Sequence, residues 1–133
     1  MATIKRFEDL ELWQIARELS FKIFQLTDLA PFSDDFRFRS QTRASAGSVM
    51  DNIAEGFERL SRLEFVQFLS HAKGSCGEVR SQLYRAIDQN YIKNNEGEDL
   101  INQYENLAGK IAGFINYLNR SQIKGQKFKQ RTL

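Results

Sequence analysis

Proline occurs once, at Pro31, so nothing downstream of it removes a helical hydrogen bond, and long uninterrupted helices are permitted there. Cysteine also occurs once. Cys76 alone excludes a disulfide framework and a cysteine metal cluster, and it reads as a small, reduced core residue. His71 is the only histidine, with no H-E-x-x-H and no Glu-x-x-His pair of the kind that builds metal sites in helical bundles. No run of about 18 apolar residues is present, so no membrane span is expected. Residues 1–7 lack the apolar core of an export signal, and a cytoplasmic location is expected. Gly74-Ser75-x-Gly77 has neither the preceding strand nor the following lysine of a phosphate loop. Without a nucleophile, base and orienting group in one pattern, the chain does not read as an enzyme, and no cofactor or metal is implied.

What is present is apolar periodicity of about 3.6 residues, and no alternating strand pattern. The 133 residues suit one domain. Leu12, Ala16, Leu19, Ile23 and Leu26 make a seam over a first helix, about 9–28, which the Ala30-Pro31 step breaks. Ser33, with Asp34 and Asp35 behind it, reads as the cap of a second helix, 33–55. Gly56 suits its C-cap, because glycine enters positive φ without a Cβ clash. Ser61 and Glu64 have capping-box spacing and open a third helix, 62–89, with the seam Phe65, Leu69, Ala72, Cys76, Val79 and Leu83. Asn95 and Glu98 repeat that spacing before a fourth, 96–119. The short connections predict an antiparallel up-down-up-down bundle over residues 1–119. The small residues Ala44 to Ser48 and Ala72 to Gly77 fall at matching distances from the Gly56 corner, so a close approach of helices two and three is expected there. Gly109 and Gly113 predict another close crossing.

Acidic residues are missing from 120–133, which carries Arg120, Lys124, Lys127, Lys129 and Arg131. The nineteen basic residues include these five, leaving fourteen against seventeen acids in the body, so the basic balance belongs to the tail. Arg37, Arg39 and Arg43 lie in the first half of helix two, and Lys73 and Arg80, seven apart, share a face of helix three. With Lys124, Lys127, Lys129 and Arg131 these are the candidate phosphate-binding residues; the plainer reading is solvated surface charge. Trp13, Phe21, Phe24, Phe68, Phe114 and Tyr117 fall beside the seams and predict a self-association surface.

One further group of residues points to a family. Leu12-Trp13-Gln14-x-Ala16 is followed by Gln41-x-Arg43, by Asn52-Ile53-Ala54-Glu55-Gly56, and by Arg59. Glu64-Phe65, Ala72-x-Gly74-Ser75 and Glu78-Val79 complete the pattern. Over residues 7–119 this resembles the bacterial four-helix-bundle proteins of ribosomal RNA intervening sequences, relatives of the accessory variability proteins of diversity-generating retroelements. The resemblance implies a cyclic homo-oligomer, a homopentamer by preference, with RNA or DNA and a reverse transcriptase as partners. Where the family usually carries a second arginine this chain has Ala44, and where it often carries proline this chain has Met50. Asn52, Glu55, Gly56, Arg59, Ser61, Glu64, Gly74, Ser75 and Glu78 then form a structural motif around the hairpin corner. The function expected is a non-enzymatic, nucleic-acid-binding scaffold. The alternative is a protein–protein interaction module with no nucleic-acid role.

Overall fold

The computed structural model describes residues 4–123. A short 3₁₀ turn, Phe7–Asp9, precedes α1 (Glu11–Thr27), and a second, Phe32–Asp34, precedes α2 (Phe36–Glu58). Then come α3 (Arg62–Asp88) and α4 (Asn94–Ile123). The described residues contain no strand. Phe57 faces Phe65, Ser48 faces Ser75, and Phe38 faces Arg85, so one index falls as the other rises and α2 and α3 run antiparallel. The α2/α3 and α3/α4 pairings are the most extensive, α1 leans chiefly on α2, and α1 meets α4 least. The all-α four-helix bundle is therefore what the periodicity predicts.

One continuous core runs through the molecule. It takes Leu12, Ala16, Leu19 and Ile23 from α1, and Ala46, Val49 and Ile53 from α2. The predicted α3 seam is wholly buried, and α4 adds Tyr104, Leu107, Ile111 and Leu118. A second cluster of Phe32, Phe38 and Ala86, with Tyr91 against it, closes the far end. Tyr91 donates to Asp35 Oδ2 at 2.8 Å, tying the α3–α4 corner to the start of α2; that hydrogen bond raises the phenol's pKa. The same corner ends α3. Asn90 takes φ 61°, its N–H reaches Ile87 O and the Tyr91 N–H reaches Ala86 O, so two carbonyls left over by the helix are satisfied by a left-handed cap.

Several local expectations change. Asp35, not Ser33, caps α2, its carboxylate accepting from the Phe38 N–H at 3.2 Å, because Ser33 is held inside the 3₁₀ turn. Asn95 does not cap α4: the helix already begins at Asn94, and the Asn95 side chain accepts from the adjacent Glu96 N–H. Helix α4 runs to Ile123, four residues past the expected end, so Arg120 is helical.

The glycines change more. Gly56 is not a cap. It lies inside α2, which continues to Glu58, and a Cβ there would sit 2.6 Å from Phe68 Cβ and 3.0 Å from Phe65 Cδ1. The residue is a glycine because α3 crosses it closely. Gly47, Gly74 and Gly77 have nothing within 4 Å of a built Cβ, and neither do Gly109 and Gly113. The expected close crossings at those glycines are therefore absent, because each points outward from its helix. The small runs still meet through other residues: Ala46, Ala72 and Cys76 are buried, and Ser48 and Ser75 share a 3.0 Å hydrogen bond.

Candidate nucleic-acid interface

Side chains four apart on a helix share a face, and those two apart do not. Arg39 and Arg43 accordingly lie together on the side of α2 that meets α1, and Arg37 does not join them. Arg43 is firmly placed: its Nε donates to Thr27 Oγ1 at 2.8 Å, its Nη2 reaches Asp28 Oδ1 at 3.5 Å, and its guanidinium stacks 4.3 Å from the Phe24 ring centroid. Thr27 is itself buried and donates back to Ile23 O, so the anchor is rigid. Arg39 donates through Nη1 to Ser33 O at 3.2 Å and lies 4.7 Å from the Phe36 ring centroid. Arg37 is exposed.

On α3 the geometry separates the other pair from these. Arg62 is buried and donates to Asn119 Oδ1 on α4 at 3.1 Å. Lys73 is eleven residues on, three turns of helix, and so falls on the same side as Arg62; Arg80 follows seven later. Lys73 and Arg80 therefore line the α4 side of α3, while Arg39 and Arg43 line the α1 side of α2. The α2 and α3 cations thus lie on two different edges of the bundle. Ala44 is exposed. Lys124, Lys127, Lys129 and Arg131 lie outside the described residues.

The motif around the corner is a set of local ties. Asn52 Nδ2 donates to Ser48 O at 2.8 Å and to Ser48 Oγ at 2.9 Å, and Ser48 passes the chain on to Ser75. Arg59 bridges Glu55 at 2.8 Å and Glu64 at 3.4 Å and lies over the Phe68 ring. All three charged side chains are about half exposed, so each pair is worth only a few tenths of a kcal/mol. Ser61 caps α3, accepting from the Glu64 N–H at 3.3 Å, while the Glu64 carboxylate turns to Arg59. Gly74 and Glu78 are exposed on α3.

Of the aromatic residues expected to lie uncovered, Trp13, Phe68, Phe114 and Tyr117 are half-buried. Trp13, Phe114 and Tyr117 pack against the core, and the Phe68 ring lies against Arg59 and His71. Phe21 and Phe24 remain open, and Phe36, Leu29, Leu60, Leu63 and Tyr84 join them. Sequence reasoning missed Phe36 and Arg17, although Phe36–Arg39 and Trp13–Arg17 have the i, i+3 and i, i+4 spacings that bring side chains together. Arg62 carried no such signal, since a charged residue after a cap is ordinarily solvated.

Among the described residues no group of three His, Cys, Asp or Glu side chains could hold a metal ion. His71 is exposed beside Phe68. Burial pushes the Cys76 thiol up to about 12, against the opposing pull of Arg80 and Lys73, so it stays a neutral core group. Burial also raises the Tyr104 phenol, whose hydroxyl has no hydrogen-bond partner among the described residues. No described helix is long and apolar enough to cross a membrane.

The fold and its surface define an all-α bundle with arginines seated on aromatic rings. The model of the 23S rRNA-intervening sequence protein family matches residues 8–113, and the chain belongs to that family. A crystal structure of a protein with unknown function from the S23 ribosomal protein family of Bacteroides thetaiotaomicron has the same fold. Its TM-score is 0.73 at 22% identity, with 79% of this chain and 95% of that chain covered. No curated protein matches the chain.

Proposed function

We propose that the protein is a non-enzymatic, self-associating scaffold that binds nucleic acid, RNA in particular. The observation that carries this reading is the acid-free cationic stretch over residues 120–133, which begins in the last turn of α4. Cations without neighbouring acids release counterions from a phosphate backbone without first breaking ion pairs of their own. A ring of subunits would present several copies of the stretch to one strand and multiply a weak contact. Anisotropy titration of a labelled RNA with the full chain tests it. Binding at low salt that weakens steadily as salt rises is the expected result, and no binding at low salt contradicts it.

Self-association is supported by open apolar residues outside α1 and α2, Leu29 at 64% and Tyr84 at 54% exposure. Light scattering at micromolar concentration is expected to give a multiple of the 15.5 kDa chain mass, and a monomer mass refutes it. The second reading, a protein-binding module, is favoured by the α2–α3 turn, where Leu60 and Leu63 are 87% and 65% exposed.

A further inference from the structure

Three phenylalanines lie open along the α1–α2 edge: Phe21 at 60% exposure, Phe24 at 45% and Phe36 at 69%. Two of the three rings carry a guanidinium, Arg43 over Phe24 and Arg39 over Phe36. The Phe21 and Phe24 rings are nearly parallel, 11° apart in plane with centroids 6.4 Å apart. Beside them an open depression of about 690 Å³ is lined by Arg17, Phe21 and Phe24, among others. Phe36, Arg39 and Arg43 follow one another along α2, and Phe24, Phe21 and Arg17 continue the row along α1. At 1.5 Å per residue that row spans about 20 Å.

We infer that this edge binds a single strand of nucleic acid, with unpaired bases stacking on Phe21, Phe24 and Phe36 and phosphates meeting Arg17, Arg39 and Arg43. The inference rests on the nucleic-acid reading above and adds the strand type and the face. Every base offers a π-face, so such a surface tolerates any sequence, whereas a duplex hides its base faces between neighbouring pairs. The arginines are fixed in advance, by Thr27 for Arg43 and by the Ser33 carbonyl for Arg39, so little side-chain freedom is lost when a phosphate arrives. Asp28, whose side chain is 63% exposed, lies 3.5 Å from Arg43 and is the acid a phosphate must displace.

The test uses the full chain, a labelled single strand of about 12 nucleotides and the matching duplex. The single strand is expected to bind at least about tenfold more tightly than the duplex. Phe21→Leu combined with Phe36→Leu keeps apolar surface but removes two ring faces, and should weaken single-strand binding about tenfold or more while duplex binding and sedimentation mass stay unchanged. Equal single-strand binding by the parent and the leucine variant, or preference for the duplex, overturns the inference and leaves the broader reading standing. If Phe21→Ala with Phe36→Ala lowers the assembly mass, the edge is a contact between copies and the inference is also overturned. No binding of either probe by the parent at low salt removes both the inference and the reading it rests on.

Discussion

Phe65→Ala will destabilise the bundle by about 3–5 kcal/mol, the usual cost of emptying a phenylalanine site in a core that cannot collapse into the gap. Phe65 is fully buried and joins three helices. Its ring meets Phe57 of α2 edge-on at 6.0 Å and Phe114 of α4 edge-on at 5.7 Å, and it also walls the space beside Gly56. Removing it takes a contact from two interfaces at once. For a chain of this length the loss corresponds to a drop in melting temperature of about 10–20 °C. Thermal unfolding followed by far-UV circular dichroism measures it. A fall of only a few degrees would mean that the helices close over the gap and are not rigidly spaced at this level.

Gly56→Ala will destabilise by about 2 kcal/mol, against the direction that helix propensity alone predicts. Alanine in place of a mid-helix glycine ordinarily gains up to about 1 kcal/mol. Here the new methyl would lie 2.6 Å from Phe68 Cβ, an atom one bond from the α3 backbone, and 3.4 Å from the Phe65 carbonyl oxygen. No rotamer change moves Cβ, so the two helices must part. Gly74→Ala is the internal control. It is exposed with nothing within 4 Å of the new methyl, so it should stabilise by up to about 1 kcal/mol. Urea unfolding of both variants is expected to move the midpoints in opposite directions. Gly56→Ala that stabilises as much as Gly74→Ala would show that α2 and α3 are not in close contact there.

The order and type of the helices were legible because their seams are regular. Leu12 to Ile23 and Phe65 to Leu83 are apolar at every third or fourth place, and that regularity needs no tertiary knowledge to read. The Ser61 cap was legible for the same reason, being a local hydrogen bond written in adjacent residues. What failed depended on the neighbouring helix. Helix propensity alone does not tell Gly56, which faces Phe68, from Gly47 or Gly74, which face outward; the rotation of each helix about its axis separates them. The placement of the cations also depended on the neighbouring helix. Arg43 and Arg80 look alike in sequence, yet one is drawn to Thr27 and Phe24 of α1 and the other lies toward α4. The open aromatic edge was half legible: Phe21 and Phe24 stood off the α1 seam, but Phe36 was concealed by the expected start of α2 at Ser33, which placed it within the first turn.

The stability of the bundle and its binding role are separable, since the cations proposed for phosphate contact lie on its edges and on the stretch beyond α4, not in its core. The salt dependence of single-strand binding, compared between the full chain and a chain ending at Ile123, bears most directly on the nucleic-acid reading. Shortening removes Lys124, Lys127, Lys129 and Arg131, and each phosphate neutralised on a single strand contributes about 0.7 to the slope of log affinity against log salt. The predicted result is that the slope of the full chain is steeper by about 3. Equal slopes for the two chains, or no binding by the full chain at low salt, would contradict it.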